Sequence, residues 1–464
     1  MLRAETYLVS SRATGGASIL TSWQDLEVVD DGAVAWRDGK ILAVGPRLEL
    51  EATYPEAHRL DAEGGVVVPG LVNLHHHFYS SLARGLDPGV SMADFPEVLD
   101  RLWWRLDRAL DLHTVRLSAE LAVLGCIRGG CTTVFDHHAS PSAIEGSLDA
   151  VAEAVEQGGL SAVLCYEVTD RNGPDGARVG LEENLRFIHE RQRHEHKEYG
   201  RIRGTLGLHA SFTLKDQTLE AAAEERPTGS GCHIHVAEDP ADGQFTAAEL
   251  GAGLIERLER FGLLDDRALL AHGIHLEDGD YARIGECGAT LLHNPESNAN
   301  NGVGRLDVLQ AQGQGAVVGL GTDGMSGDVL RALRTAFLLL RHGRRDPAVG
   351  FEGLPRLLAD NARVASRFLD QPRLGFLEPG APADLAVVDC LPPTPLHTGN
   401  AFGHLVYGLC DSPVRHTVAG GRILMRDFRV LSMDAGAVAE SARRAAPELW
   451  RRFRELDYGT PYLG

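Results

Sequence analysis

Eight short apolar runs recur between helical stretches from residue 70 to residue 324. They are GLVNLHHH (70–77), CTTVFDHH (131–138), LSAVLCYEV (160–168), IRGTLGLHA (202–210), GCHIHVAE (231–238), ALLAHGIH (268–275), GATLLHN (288–294) and GAVVGLGTDG (315–324). Near-continuous apolar runs of this length read as strands buried on both faces, as in a parallel sheet. Amphipathic segments lie between them, such as IEGSLDAVAEAVEQGG and AAELGAGLIERLERFG, each stopped by glycine. Eight buried strands alternating with helices predict an α/β fold, a (β/α)8 TIM-like barrel. The barrel is assigned to residues 69–375 of the 464-residue chain.

The two ends have a different texture. GAVAWRDGKILAVGP, within the first ~65 residues, reads as two strands around an Asp-Gly turn. After residue 375, GFLEPGAPADLAVVD and HTVAGGRILMRD again read as strands with Gly-Pro and Gly-Gly turns. Residues 1–68 and 376–430 are expected to pair into one small composite β-sandwich. The tail, AGAVAESARRAAPELWRRFREL, predicts an amphipathic helix within 431–464.

Charge and composition remove several function classes. A formal net charge of −20 argues against binding a phosphate backbone, which needs clustered Lys and Arg. No apolar run approaches the ~20 residues that cross a bilayer. The N-terminal MLRAETYLVSSRATGG lacks the apolar middle of a secretory signal, so a cytoplasmic location is expected. The 7 cysteines are scattered without a CxxC pair, which excludes a disulfide framework and a cysteine zinc site. The expected partners are a small heterocyclic substrate and further copies of the chain, with no nucleic acid and no membrane.

Barrel enzymes carry their chemistry at the C-terminal ends of the strands. The runs here end in His75-His76-His77, His209, His233-Ile234-His235-Val236-Ala237-Glu238, His272, His293-Asn294 and Asp323. Side chains alternate along a strand, so His75 and His77 point one way and His76 the other. Such a pair can grip one metal ion. His235 and Asp323 would complete an N/O set suited to zinc or iron, with a position left open for water, as in a catalytic site. His293 and His275 read as hydrogen-bonded core residues. Of His137 and His138, one is expected to line the pocket and the other to face the helices. HERQRHEHK (189–197) reads as a solvated helical face.

The motifs PGLVNLHHH, HIHVAE, LLAHGIHL, LLHNPESN and GLGTDG, in this order, resemble the amidohydrolase superfamily. They are most similar to its aminohydrolase branch of chlorohydrolases and deaminases. DFPEVLDRLWWRLDRAL and TTVFDHHASPSAIEGSLDAVAEAV resemble the SsnA group of aminohydrolases within it. The resemblance implies that His75, His77, His235 and Asp323 hold one divalent metal, zinc ahead of iron. It implies that Glu238 shuttles protons to the substrate ring and that His272 orients the attacking water or polarises the substrate. It implies that Asp323 serves as ligand and base together, and that His209 contacts substrate. The implied reaction is deamination of a cyclic amidine or heteroaromatic amine (purine-, pterin- or triazine-like) by metal-activated hydroxide. The alternative is hydrolytic ring opening of a cyclic amide at the same site, and a more distant one is a non-catalytic scaffold. The fourth run ends in His209 where binuclear members carry a carboxylated lysine, which favours a single ion. Ser80 stands where guanine-type deaminases tend to carry Gln, which weakens simple guanine deamination. Further substrate-facing candidates are Tyr79, Trp103, Trp104, Tyr166, Glu167, Asp170 and Arg171. One of the two tryptophans is expected to be core. Asn294 and Asn298 are expected to fix their own loop.

Overall fold

The computed structural model describes residues 5–13, 16–193, 202–277 and 279–459. Each apolar run contains a barrel strand: β1 (Leu71–His76), β2 (Cys131–His138), β3 (Ser161–Tyr166), β4 (Leu206–Ala210), β5 (Cys232–Val236), β6 (Ala268–His272), β7 (Thr290–His293) and β8 (Val317–Leu320). All their residues except Val317 are buried, on both faces of the strands and not in alternation.

The strands are parallel and form two arcs. The first is β1–β2–β3 with the short strand Ile202–Gly204 at its edge, and the second runs from β4 to β8 in order. Two parallel bridges, Val168↔Leu208 and His76↔Asp323, join the arcs into a closed ring. The fourth run thus serves both arcs, Ile202–Gly204 pairing with β3 and Leu206–Ala210 with β5. Its Gly207 allows the close approach at this seam, because a Cβ there would lie 2.3 Å from the Tyr166 carbonyl oxygen.

Strands from both ends of the chain share one seven-stranded sheet. Its order is Arg429–Val430, Arg422–Arg426, Val414–Ala419, Leu385–Val388, Val66–Pro69, Ser18–Leu20 and Val28–Val29. A second sheet, in the order Lys40–Pro46, Gly32–Arg37, Thr6–Ser10 and His58–Asp61, packs on it through Val9, Val34, Trp36, Ile41, Val67, Leu385, Val387 and Val418. Asp38 and Gly39 turn the Gly32–Arg37 hairpin with φ of 50° and 73°, the two left-handed residues of a tight hairpin turn.

The tail forms the helix Ala435–Glu455, capped by Asp434 and packed against the helices Trp104–Ala109 and Leu112–Arg128. Trp450 Nε1 donates to the Leu82 carbonyl at 2.9 Å, tying this helix to the loop that follows β1. The 7 cysteines are free thiols. Of the stretch 189–197, His189 is exposed, while His194 and His196 lie outside the described residues. Among the described residues no helix is long and apolar enough to cross a membrane.

Candidate active site

The barrel end collects histidines from five strands. His75 and His77 project together at the end of β1, with ring centroids 4.8 Å apart, while the His76 ring turns away onto Phe78. His235 arrives from β5 and Asp323 from the turn after β8. His77 Nε2 lies 3.1 Å from His235 Nε2 and 3.2 Å from Asp323 Oδ1, and His75 Nε2 lies 3.8 Å from the same oxygen. The four residues predicted as ligands are therefore brought together and buried. Gly321 makes room for this approach, since a Cβ there would lie 2.6 Å from the His75 Cβ.

Counting protons shows what this cluster accepts. His77 Nδ1 faces the His137 carbonyl at 2.6 Å, and His235 Nδ1 faces the His209 carbonyl at 2.9 Å. A carbonyl only accepts, so both Nδ1 atoms carry hydrogen and both Nε2 atoms are bare in the neutral rings. Two lone pairs then oppose each other across 3.1 Å beside a carboxylate. His75 Nε2 is buried without a hydrogen-bond partner in the same place. A divalent cation satisfies this arrangement with three imidazole nitrogens and one carboxylate oxygen, a donor set of the catalytic zinc type. The Nδ1 contacts to carbonyls are the outer partners that orient ligating histidines. His233, to which the sequence alone assigned no role, extends this shell: its Nε2 lies 2.9 Å from His75 Nδ1. The repeated His-x-His of β5 carries that signal, one histidine for the centre and one for its neighbour.

The predicted acid and orienting residues stand beside the cluster. His272 Nε2 lies 3.3 Å from Glu238 Oε2 and 3.7 Å from Asp323 Oδ2. Burial, with the Asp323 charge next to it, pushes Glu238 well above the usual carboxylate range. Its protonated form is thereby favoured. Burial pulls His272 below the ordinary imidazole value, which favours its neutral form. Burial alone would raise Asp323, but positive charge at His77 Nε2, whether a proton or a cation in its place, holds the carboxyl below its usual range. Three residues here take left-handed backbone without being glycine: Ala237 (φ 50°), His272 (φ 76°) and Asp323 (φ 54°). Such strain persists where the surroundings over-determine it. One restraint is Asp242, which accepts from the Ala237 N–H at 2.9 Å and the Phe212 N–H at 3.2 Å.

Asn298 departs from the sequence expectation. Its side-chain oxygen lies 2.8 Å from His272 Nδ1, so it serves the site as well as its own loop. Asn294 does bind locally, to the Leu292 carbonyl at 3.2 Å. His275 faces the Val303 carbonyl at 2.6 Å but is exposed, so it is not the core residue expected, while His293 is buried as expected. His137 packs its ring on His75, His77, His233 and His235, whereas His138 faces Ser140 and Tyr166.

A cavity of about 870 Å³ opens over the cluster. Tyr79, Ser80, Trp103, Trp104, Glu167 and His209 line it, as do His77, His235, Glu238 and Asp323. Both tryptophans therefore reach the cavity, although Trp104 also packs on Ala210 and Phe212. Tyr166 does not belong to the wall. It ends β3 pointing outward, its ring beside His138 and against Gly180 of the next helix. The residue after it, Glu167, takes the inward place that was expected of Tyr166. The Ser80 hydroxyl is occupied, donating to the His77 carbonyl at 2.8 Å. Asp170 and Arg171 support the wall from behind. Asp170 accepts from the Lys215 N–H at 2.7 Å, and Arg171 pairs with Asp107 and stacks on Trp104.

The similarity to known proteins runs along most of the chain. The amidohydrolase family model matches residues 66–424. A 5'-deoxyadenosine deaminase of Methanosarcina mazei is 32% identical over 442 residues, which covers 94% of this chain and 98% of that protein. A 5-methylthioadenosine/S-adenosylhomocysteine deaminase of Natronomonas pharaonis is 34% identical over 432 residues, 89% of this chain and 92% of the relative. Among solved structures, an adenosine deaminase of Xanthomonas campestris with bound zinc superposes with a TM-score of 0.80 at 23% identity, covering 97% of this chain and 99% of that one.

Proposed function

This chain belongs to the amidohydrolase family, and from that membership we propose a metal-dependent aminohydrolase that removes the amino group of a cyclic amidine or heteroaromatic amine. The observation that carries the reading is the pair of Nε2 atoms of His77 and His235, 3.1 Å apart, with the half-buried Glu238 carboxyl 3.3 Å from His272 Nε2 beside them. The relatives' names support purine-like amines as the first substrates to try.

His75, His77, His235 and Asp323 would hold one divalent ion, and the nitrogen-rich donor set together with the zinc-bound neighbour favours zinc over iron. Bound there, the ion supplies Lewis acidity that makes a water molecule acidic enough to react at neutral pH. Asp323 Oδ2, the oxygen turned towards His272, accepts the proton of the attacking water. Glu238 gives its proton to a ring nitrogen next to the attacked carbon, which makes that carbon a better electrophile. His272 Nε2 stands between the two carboxylates and orients the water. The proton held by Asp323 then passes to the departing amine, which leaves as ammonia while the hydroxyl on the attacked carbon becomes a carbonyl and returns its hydrogen to Glu238.

The remaining parts of the reading are a cytoplasmic enzyme and a homo-oligomer. Support for self-association comes from the exposed side chains Leu338, Phe351 and Tyr407 around Phe337, tested by light scattering on the eluting peak of a sizing column.

The function is tested by ammonia release from metal-loaded protein across oxopurines, adenine nucleosides, pterins, triazines and aminopyrimidines, with His235→Ala beside it. Ammonia that depends on His235 is expected. A gain of one water in the product without ammonia would replace deamination by ring opening.

A further inference from the structure

Glu167 is a buried carboxylate that the proposed chemistry does not use. It is 4% exposed, and it lines the cavity. Two imidazoles face it. His137 Nδ1 lies 3.2 Å from Glu167 Oε2, and His209 Nε2 lies 3.7 Å from Oε1.

Neither imidazole offers a proton when neutral. His137 Nε2 stands 3.1 Å from the carbonyls of both Leu208 and His233, so its hydrogen is there and Nδ1 is bare. The Thr213 hydroxyl donates to the Ala210 carbonyl, so it can only accept from His209 Nδ1 at 2.7 Å. His209 Nε2 is therefore bare as well. The nearest cation, Arg171, keeps its nitrogen 3.7 Å away and is held by Asp107. Glu167 and His209 face the cavity here as a carboxylate and a lone pair, with the His137 lone pair 3.2 Å behind the carboxylate. Buried acceptors of this kind are costly unless a donor arrives.

The position of Glu167 says which part of a substrate brings the donors. The nitrogen and oxygen atoms of His77, His137, Glu167 and His235 that face one another all lie within 4.8 Å. A ring whose reacting carbon sits over the Nε2 atoms of His77 and His235 meets Glu167 with its own edge. A sugar or a second ring attached to it would reach past that point. A carboxylate pairs best with two adjacent donors presented side by side.

We propose that Glu167, with His209 beside it, binds N–H donors on the reacting ring itself. The substrate class is then an amino-substituted ring with a free N–H at that edge, such as an aminolactam, and not one alkylated there. The inference rests on the functional reading above and narrows it.

The test pairs each ring with its ring-N-methyl derivative: isocytosine, cytosine and guanine. Each pair is assayed on zinc-loaded wild type and Glu167→Gln, with bound zinc measured on both. The expected result is a loss of about a hundredfold in kcat/KM on methylation in the wild type, as for a site that loses a donor it was built to accept. In the variant that preference falls below about threefold, with zinc unchanged. Methylated rings turned over as well as their parents would overturn the proposal and leave the deaminase reading in place. Loss of zinc in Glu167→Gln would overturn it by making Glu167 a metal ligand. If no ring is turned over, calorimetric binding of the same pairs decides. N–H selectivity that vanishes in Glu167→Gln keeps the proposal and sinks the deaminase reading, and absence of binding overturns the proposal. The methylation series on wild-type protein discriminates between these outcomes even where the variant folds poorly.

Discussion

His272 Nδ1 and Asn298 Oδ1 meet at 2.8 Å with both residues fully buried, joining the last residue of β6 to the helix Pro295–Asn301 that follows β7. The contact keeps the hydrogen of His272 on Nδ1 and turns bare Nε2 towards Glu238 and Asp323. Asn298→Ala releases the ring. A fall of about 10- to 100-fold in kcat is expected, the usual cost of losing such an outer partner, with metal content unchanged and a shifted pH–rate profile. An unaltered profile in steady-state assays would reduce Asn298 to a loop residue.

Glu238→Gln removes the proton donor and keeps its shape. We expect kcat to fall about 10²- to 10⁴-fold, with metal content near wild type. Because burial raises the Glu238 pKa, the working acid is present at low pH and lost as pH rises through that raised value. The alkaline limb of the wild-type kcat profile is the measurement.

Metal should act as a structural fastener as well as a reagent. Zinc added to chelator-treated protein is expected to raise Tm, since a ligand present at a thousandfold over its Kd adds about 4 kcal/mol to the folded state. His235→Ala and Asp323→Asn are expected to lose both the bound zinc, by mass spectrometry, and most of that rise. Acid should release the ion as the ligating histidines take up protons.

Asp136 gives a pH-dependent stability. Its Oδ1 accepts from the Phe78 N–H at 2.7 Å, while Oδ2 is buried without a partner, and burial pushes the group up to about 7. Its unfolded value is about 3.9, so the stability it contributes is full below that and is lost as pH rises through about 7. Asp136→Asn removes this dependence. Between pH 5 and pH 8, the unfolding free energy from urea titrations should fall by about 2 kcal/mol more in the wild type than in the variant. Equal pH slopes would refute the assignment.

The strands were legible because burial on both faces leaves short, mostly apolar runs between helical stretches, and each of the eight runs contains one. His75 and His77 were legible as a pair because alternation fixes their common side. What lay beyond reach was direction at a strand's last residue. Tyr166 and Glu167 are neighbours, and only the register of β3 against β2 (Tyr166 opposite His138) decides which turns inward. Asn298 was misjudged for a related reason, since a side chain's partner on another loop leaves no mark in its own stretch. His233 was visible but uninterpreted, because its role depends on the His75 ring it touches.

The strand Val66–Pro69 lies between Ser18–Leu20 and Leu385–Val388. During synthesis the ribosome makes one neighbour before the barrel and the other after it. Until the last part emerges, one edge of Val66–Pro69 offers unpaired backbone to any chain nearby, and β1 leads straight out of that strand. Chaperone dependence and truncation products of this protein should therefore be governed by the arrival of Leu385–Val388, long after the metal ligands of β1 have left the ribosome.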